Sequence, residues 1–242
     1  MHFNLVTIFP ELIDEFVSHG IISNAISKEK LSISTWNPRE FSEDKNGRLD
    51  DKPYGGGPGM ILQPDPIIKT VEAIKKKDKT YVIYMAPHGK VLNQQKLLDL
   101  SQKQNITIIS GRYEGIDNRV EESCVDEVCS VGDYILNGGE LPALILLEGI
   151  SRLVEGILGD KNSVLEESFN DGLLEFPQYT RPENSEYGNV PEVLLSGNHS
   201  DIRRWRLKES LRRTLSLRPD LMESRKLTSE EKELIDEIKG EG

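Results

Sequence analysis

Short apolar runs alternate with helix-like patterns over the first two-thirds of the chain. The runs are rich in β-branched and aromatic residues, which predicts strands with buried positions. Between them, apolar residues recur every three or four positions, which predicts helices. The predicted strands are Phe3–Phe9, Leu31–Trp36, Tyr81–Met85, Ile106–Ser110 and Val128–Val131. The predicted helices are Glu11–Val17, Ile21–Ser27, Pro66–Lys77, Gln94–Gln102 and Leu141–Val154. This alternation favours an α/β domain with a mostly parallel sheet.

The pattern changes near Gly156. Residues 157–190 are rich in Gly, Asn, Ser, Glu and Pro and show little periodicity, which is typical of a linker or a long functional loop. From Pro191 onward the signals are helical, and Thr228 with Glu231 fits a capping box before the last helix. These helices are predicted at Ile202–Leu217, Pro219–Lys226 and Ser229–Lys239. We expect a domain over residues 1–160, a linker over 161–190 and a small all-α domain over 191–242.

The composition is that of a globular protein, with 36% hydrophobic and 29% charged residues. No apolar run approaches the roughly 18–20 residues that a membrane span requires, so we expect no membrane partner. The N-terminus has neither the basic region of a signal peptide nor the Arg-rich character of a transit peptide. Cys124 and Cys129 are too few for a disulfide scaffold and lack metal-ligand spacing. They favour a reducing, cytoplasmic location.

The charge is distributed unevenly along the chain. The net charge of −11 argues against a nucleic-acid partner if it is taken as an average. Residues 201–226, however, carry a net charge of +5, from nine Lys and Arg against four acids. Seven of these nine are arginines, which suit bidentate phosphate contacts, although a solvated helix face is the alternative interpretation. Within this basic segment, Trp205 is either a core anchor or a stacking surface for a base.

Glycine is concentrated in four clusters, at residues 53–60, 86–89, 111–115 and 132–140. None matches a P-loop or a dinucleotide-binding fingerprint, and any one alone is most simply a tight loop. Three of the clusters lie at the carboxyl ends of predicted strands, where open α/β sheets bind ligands. Because glycine lets backbone groups approach a ligand closely, the clusters predict a small-molecule pocket lined by backbone.

Five longer motifs occur in order between about Phe3 and Leu221. They are Asp50–Met60, Gly111–Asp117, Val131–Leu136 with Gly138–Pro142, Tyr179–Pro182, and Leu195–His199 followed by Ile202–Arg206. Together they resemble the bacterial tRNA (guanine-37-N1)-methyltransferases of the SPOUT class. The resemblance implies an α/β domain with a deep trefoil knot, followed by a small all-α domain that binds the tRNA anticodon stem-loop. It also implies a homodimer with the active site at its interface.

The resemblance further implies that the glycine clusters bind S-adenosyl-L-methionine. The residues at the matching cofactor positions are Tyr84, Met85, Pro87, Gly89, Gly111, Glu114, Ser130, Val131, Gly132, Asp133, Tyr134, Ile135, Leu136, Gly138, Gly139 and Pro142. The candidate substrate-binding residues are Asp50, Tyr54, Ser168, Asp171, Asn198, His199, Arg203 and Arg206. Members of the family also depend on Mg²⁺. The sequence has no metal site of its own, so we expect any ion to be held partly by the substrate and by acids such as Glu114.

The resemblance also implies the catalytic pair. N1 of guanine carries a proton and is a poor nucleophile, so the enzyme must remove that proton and stabilise charge on O6. In the family an aspartate is the base, and an arginine fifteen residues earlier stabilises the charge; here these positions are Glu167 and Arg152. The glutamate side chain is about 1.5 Å longer than that of aspartate. Glu166 and Asp171 are the alternative bases. The segment Phe176-Pro177-Gln178 is a second departure from the family pattern, because in the family a histidine often precedes the tyrosine that corresponds to Tyr179 here.

Three functions are compatible with these motifs. The first is methyl transfer to N1 of guanine-37, which gives 1-methylguanine. The second is a non-catalytic or altered-specificity tRNA-binding homologue in which Glu167 is the lesion, and the third is modification of another RNA. The intact cofactor clusters favour the first function over the second, and the Arg-Tyr-Glu-Gly and Tyr-Thr-Arg-Pro motifs favour it over the third.

Overall fold

The computed structural model describes residues 1–158, 167–223 and 225–241. The chain divides into two compact units, Met1–Gly159 and Asp160–Gly242. The linker over residues 161–190 and the functions of the two domains stay predictions. No helix in these described ranges is long and apolar enough to cross a membrane.

The first unit is built on a five-stranded sheet in which every neighbouring pair is parallel. The strands of the unit are β1 (His2–Val6), β2 (Ser32–Trp36), β3 (Asp50–Asp51), β4 (Ile61–Leu62), β5 (Tyr81–Val91), β6 (Asn105–Ser110) and β7 (Glu127–Ser130). The order in the large sheet is β2-β1-β6-β5-β7, and β3 pairs with β4 in a separate antiparallel ladder. The prediction of an α/β fold with a parallel sheet is therefore confirmed.

Helices connect these strands. They are α1 (Pro10–Val17), α2 (Gly20–Ser27), α3 (Pro64–Lys77), α4 (Gln94–Ser101), α5 (Asn118–Cys124) and α6 (Glu140–Ser151), with a 3₁₀ turn at Pro38–Phe41. Prolines open α1 and α3, where a missing N–H costs nothing because the first turn has no acceptor for it. The sequence pattern did not predict α5, which is short; its N-cap is Asp117, which accepts a hydrogen bond from the backbone N–H of Arg119 at 2.9 Å.

Both faces of the sheet are buried, as expected for a parallel sheet covered by helices. Alternate residues of the strands point to opposite sides, so that Leu5 and Ile108 belong to one apolar cluster and Val6 and Ile109 to the other. Every residue of β6 is buried, because β6 lies at the centre of the sheet. The continuous apolar runs in the sequence follow from this double burial.

β5 is longer than predicted. The pattern placed its end at Met85, before a Pro- and Gly-containing turn, but the strand continues to Val91 with a register shift between Met85 and Lys90. A Cβ atom at Gly89 would lie 2.6 Å from the backbone of Cys129. Glycine at this position therefore permits the close approach of β7 and does not mark the end of the strand.

The apolar helix α6 is only partly covered within this chain. It starts at Glu140 and ends at Ser151, slightly earlier than the predicted Leu141–Val154. Most of its apolar residues are buried against the sheet and α4. Leu141 and Ile145, one turn apart, are 62% and 50% exposed. One apolar face of this helix therefore has no partner in the described part of the chain.

The second unit is mostly helical. It contains a hairpin of β8 (Asn184–Ser185) and β9 (Gly188–Asn189), followed by α7 (Glu192–Leu195), α8 (His199–Leu217), α9 (Asp220–Glu223) and α10 (Ser229–Gly240). Leu211, Leu234 and Ile235 form its core with Leu173. The predicted capping box is confirmed, because the Thr228 side chain accepts from the backbone of Glu231 and the Glu231 side chain accepts from the backbone of Thr228. The hairpin lies in the segment that was predicted as a linker.

Candidate functional site

A cavity of about 330 Å³ lies at the ends of three neighbouring strands of the first unit. Its walls come mainly from residues 84–88, 111–116 and 129–139, which belong to or follow β5, β6 and β7. Fourteen of the sixteen predicted cofactor-binding residues line this cavity, and Gly89 and Asp133 are the two that do not. The volume is within the range of about 300–1,000 Å³ that is typical of small-molecule sites.

Glycines form the part of the cavity wall where two backbone segments cross. The N–H of Gly139 donates to the carbonyl of Gly111 at 2.8 Å. A Cβ atom on Gly139 would lie 2.8 Å from Ser110 Cα, and one on Gly138 would lie within the side chain of Arg112. A side chain at position 139 would push these two backbone segments apart, whereas one at position 138 would have to displace the side chain of Arg112. The glycine cluster is therefore required for the shape of the cavity wall.

Glu140 holds this crossing in place, although the sequence pattern did not predict it as a site residue. It is only 1% exposed, and its carboxylate accepts hydrogen bonds from Thr7 Oγ1 at 2.8 Å and Arg112 Nε at 2.7 Å. The guanidinium of Arg112 also lies 4.6 Å from the ring centroid of Phe9. A buried carboxylate is tolerated when it is paired and hydrogen-bonded in this way.

Tyr84 and His88 contribute polar side chains to the same cavity. Tyr84 is buried, and burial raises the pKa of its hydroxyl above the usual value, partly offset by a hydrogen bond with the backbone of Ile116. His88 Nε2 lies 3.0 Å from a carboxylate oxygen of Glu121 on α5. Both residues line the cavity; His88 belongs to the predicted cluster of residues 86–89, although it was not named as a binding residue, whereas Glu121 was not predicted. The motif around His88 could have indicated it, whereas α5 had no recognisable signal.

The loop of residues 53–60 contacts the wall of the cavity through Glu114. The N–H of Glu114 donates to the carbonyl of Met60 at 3.0 Å. A Cβ atom on Gly59, whose φ is +85°, would clash with the side chain of Glu114. Of the predicted substrate-binding residues near this loop, Asp50 lies on β3 and Tyr54 is fully exposed.

A second cavity, of about 570 Å³, lies within the second unit. It brings together five residues that were predicted as catalytic or substrate-binding: Glu167, Asp171, His199, Arg203 and Arg206. The guanidinium of Arg206 lies 4.7 Å from the ring centroid of Phe176, which also lines this cavity. Carboxylates, cations and an aromatic ring therefore surround one concave surface.

The other two predicted substrate-binding residues of this unit have structural hydrogen bonds. Ser168 Oγ accepts from the backbone N–H of Glu175 at 2.9 Å. Asn198 is the N-cap of α8, because its side chain accepts from the N–H of Ser200 at 3.1 Å. Neither residue is among those that line the second cavity. Their contacts with a substrate stay a prediction.

The basic segment is partly neutralised by nearby acids, mostly those of α10. In the described part of the chain, at least six of its nine cations form ion pairs: Arg203 with Glu230, Arg204 and Lys208 with Glu237, Arg212 with Glu241, Arg218 with Asp220, and Arg225 with Glu231. Five of these pairs involve acids outside the segment, so its +5 charge overstates the positive charge at this surface. Trp205 is partly buried, and its ring centroid lies 6.4 Å from that of Tyr179.

The family model described as tRNA (Guanine-1)-methyltransferase TrmD matches residues 1–224. The chain belongs to this family. A tRNA (guanine-N(1)-)-methyltransferase of Pseudoalteromonas atlantica is 47% identical over 99% of the chain and 91% of its own length. Proteins with the same name from Vibrio cholerae and Shewanella sediminis are each 48% identical over 98% of the chain, and over 97% and 99% of their own lengths.

The two predicted catalytic residues of this TrmD-family chain lie in different units. Arg152 follows α6 at the end of the first unit, where it is the C-cap. Glu167 belongs to the second unit. Glu166, the alternative base, lies outside the described residues. The pairing of Arg152 with Glu167 at one reaction centre thus stays a prediction.

The described residues do not form a metal centre. Among them, no group of three or more His, Cys, Asp or Glu side chains is placed to hold an ion. Glu114 lies at the cavity wall in the first unit. The described side chains of this TrmD-family chain thus do not by themselves fit a Mg²⁺ ion. Cys124 and Cys129 are buried free thiols, and burial raises the pKa of both, that of Cys129 to about 11.

Proposed function

We propose that this chain transfers the methyl group of S-adenosyl-L-methionine to N1 of guanine-37 in tRNA and so forms 1-methylguanine. The observation that carries the proposal is the glycine-walled cavity of the first unit, in a chain whose relatives are named tRNA (guanine-N(1)-)-methyltransferases. The specific position, 3′ of the anticodon, comes from the motifs that the chain shares with enzymes acting there.

The cavity suits a cofactor that is held mainly by backbone groups. Residues 84–88, 111–116 and 129–139 would bind S-adenosyl-L-methionine, since their glycines leave room for close approach. When it is bound, this cofactor supplies an activated methyl group on a sulfonium. Gly138 and Gly139 keep the wall thin, and Glu140 with Arg112 keeps it fixed. The protein thus contributes orientation and the exclusion of water.

Proton removal and charge stabilisation are assigned to side chains of this chain. We propose that Glu167 accepts the N1 proton of guanine and that Arg152 stabilises the negative charge that develops on O6. Glu167 lines the second cavity with Arg206 and His199, which are suited to contacts with a nucleotide. A general base of this kind contributes about 10²–10⁴-fold to rate.

The second unit is proposed to bind the tRNA anticodon stem-loop. A base in that loop is unpaired or readily extruded, which lowers the energetic cost of presenting it to the enzyme. Arg203 and Arg206 lie at the second cavity, whose lining also includes Phe176. Cations beside an aromatic ring suit phosphate contacts together with base stacking.

We also propose a homodimer with the active site at its interface. Leu141 and Ile145 of α6 are exposed. In the neighbouring helix α1, Leu12 is exposed, as is the N-cap residue Phe9. Adjacent exposed apolar side chains of this kind commonly mark a protein interface. The close crossing of residues 110–112 and 138–139 supports the proposal that the first unit contains the trefoil knot of its class.

Two further proposals concern conditions and location. Any Mg²⁺ requirement would involve the tRNA together with acids such as Glu114, and no catalytic step is assigned to it. The buried free thiols are compatible with a reducing compartment, and we propose the cytoplasm.

Methyl transfer from labelled S-adenosyl-L-methionine tests the proposed function. The substrates are a tRNA transcript with guanine at position 37 and a matched transcript in which that base is replaced. We expect transfer to the first transcript alone. Cofactor binding without transfer to either transcript would favour the non-catalytic tRNA-binding alternative. Equal transfer to both would favour an altered specificity.

A further inference from the structure

Glu167 begins a compact turn that has its own internal hydrogen bonds. The N–H of Phe169 donates to the carbonyl of Leu173 at 2.8 Å, and the N–H of Leu173 donates to Asp171 Oδ1 at 3.1 Å. The side chain of Leu173 is buried in the core of the second unit. Near the two ends of the segment, the N–H of Glu175 donates to Ser168 Oγ at 2.9 Å. Residues 167–175, called here the Glu167 turn, are therefore closed near both ends and anchored in the core by Leu173.

The end of the Glu167 turn is bonded to α8. The N–H of Leu174 donates to Thr214 Oγ1 at 2.9 Å, and this fully buried hydroxyl donates in turn to the carbonyl of Ser210 at 2.7 Å. Arg213 Nη1 donates to the carbonyl of Glu175 at 3.1 Å. The turn is thus attached to a nineteen-residue helix by one buried and one exposed hydrogen bond.

The middle of the Glu167 turn is bonded to the start of α10 through Arg225. Arg225 Nη1 donates to the carbonyl of Asp171, and Nη2 lies 3.6 Å from Asp171 Oδ2. The same guanidinium donates to Glu231 Oε1 through Nε at 3.2 Å and through Nη2 at 2.6 Å. The side chains of Arg225 and Glu231 are only 17% and 4% exposed. Burial makes this connection less open to screening than a surface ion pair.

We propose that Arg225 is a positioning residue for methyl transfer. It holds the Glu167 turn against α10, so that the carboxylate of Glu167 takes a fixed position and orientation at the reaction centre. This inference rests on the proposed role of Glu167 as the base. The physical reason is that a displacement of about 1 Å at a reacting group can cost about 10²-fold in rate. Because the glutamate side chain is longer than that of aspartate, its carboxylate has more freedom to move away from the reacting atoms.

Single-turnover methyl transfer with the full chain, S-adenosyl-L-methionine and the tRNA transcript tests the proposal. We expect Arg225→Gln to lower the rate about 10- to 100-fold while the dissociation constants of cofactor and tRNA change less than about twofold. Lys96→Gln is the matched control, because it removes a partly buried ion pair with Glu127 in the first unit. It is expected to keep the wild-type rate. An unchanged rate in Arg225→Gln, or an equal loss in both variants, would overturn the proposal.

A double-mutant cycle with Glu167→Gln separates positioning from general structural support. If Arg225 acts through Glu167, Arg225→Gln adds less than about twofold to the loss already caused by Glu167→Gln. A full additional loss in that background overturns the role of Arg225 and leaves the base assignment intact. Wild-type activity of Glu167→Gln alone shows instead that the proposed base is wrong, and the two failures are thereby distinguished.

Arg225→Lys guards against a loss of folding in the glutamine variant. The lysine keeps a positive charge beside Glu231 but lacks the planar fork that reaches Asp171 as well. We expect a thermal unfolding midpoint close to wild type and a rate between those of wild type and Arg225→Gln. A wild-type rate in Arg225→Lys would show that the bond to Asp171 is dispensable, and it would overturn the proposal.

Discussion

Glu140 is the most buried charged residue among the described residues of the first unit. It accepts hydrogen bonds from Thr7, at the end of β1, and from Arg112, in the loop after β6. One side chain thus connects three segments of the first unit, because it also opens α6. The cost of burying its charge is offset by two hydrogen bonds, of which the one from Arg112 is also an ion pair.

Replacement of Glu140 is expected to destabilise the first unit. Glu140→Ala leaves the largely buried Arg112 without its counterion, and the removal of one partner of a buried pair costs about 3–5 kcal/mol. Urea unfolding would measure this as a lower transition midpoint, with cofactor affinity reduced as well. Glu72→Ala, at an exposed position of α3, is the control and is expected to change stability by less than about 0.5 kcal/mol. Equal effects of the two substitutions would contradict the role of Glu140.

Replacement of Glu167 tests the proposed base. Glu167→Ala is expected to lower single-turnover methyl transfer by about 10²–10⁴-fold, because no group then accepts the N1 proton. Cofactor affinity should stay near the wild-type value, since the first cavity does not include this residue. Full activity would transfer the role to a neighbour such as Asp171.

The shorter carboxylate of aspartate tests the length of the side chain. Glu167→Asp keeps the chemistry and moves the carboxylate back by about 1.5 Å. A rate above that of the wild type would show that glutamate is a handicap in this chain. A lower rate would indicate that the Glu167 turn is adapted to the longer side chain. The same single-turnover assay measures both outcomes.

At the level of elements, several cations of the basic segment form ion pairs between α8 and the end of α10. Glu237 bonds to Arg204 and Lys208, and Glu241 bonds to Lys208 and Arg212. These ion pairs hold the last helix against α8, whose Leu211 packs with Leu234 in the same core. Part of the positive charge therefore stabilises the contact between the helices and is less available to a phosphate backbone.

This pairing makes a prediction for the salt dependence of tRNA binding. Each phosphate that the protein neutralises releases counterions, so the logarithm of the affinity falls linearly with the logarithm of salt concentration. We expect a clear negative slope, but a smaller one than nine independent cations would produce. Binding titrations between about 50 and 200 mM salt would measure it. A flat response would contradict a role of this surface in tRNA binding.

At the level of the whole molecule, charge is distributed unevenly along the chain. Outside residues 201–226 the sequence carries a net charge of −16, whereas that segment carries +5. The first unit leaves apolar side chains of α1 and α6 exposed, and the second unit has cavities lined by polar and aromatic side chains. The uneven charge and the exposed apolar face agree with the proposals of an RNA partner and of a dimer.

Substitution of the exposed face of α6 tests the proposed dimer. Leu141→Asp combined with Ile145→Asp places two like charges on that face, which should shift the protein to a monomer in analytical ultracentrifugation. Methyl transfer should fall in parallel if the active site needs both copies. Leu217→Asp is the control, because Leu217 is an exposed apolar residue of the second unit. A dimer that persists in the α6 variant would refute the proposed interface.

Much of the fold was predictable because its signals are local. The spacing of apolar residues predicted the strands of the parallel sheet, and the motifs predicted fourteen of the residues that line the first cavity. Both signals depend on neighbours in the sequence, since strand pleating and glycine-rich turns are properties of short segments. The capping box at Thr228 was predictable for the same reason.

The remaining features depend on residues that are distant in the sequence. Glu140 bonds to Thr7 across 133 positions, and Arg225 bonds to Asp171 across 54. Neither pairing leaves a periodic pattern, because each arises from the packing of whole elements and not from the geometry of one. The continuation of β5 past Met85 has the same origin, since β7 approaches closely enough to pair with it there. The spacing of apolar residues thus settled the strands of the parallel sheet and most of their helices, and the motifs settled the glycines of the first cavity, whereas long-range packing settled which charged side chains pair beside the sites.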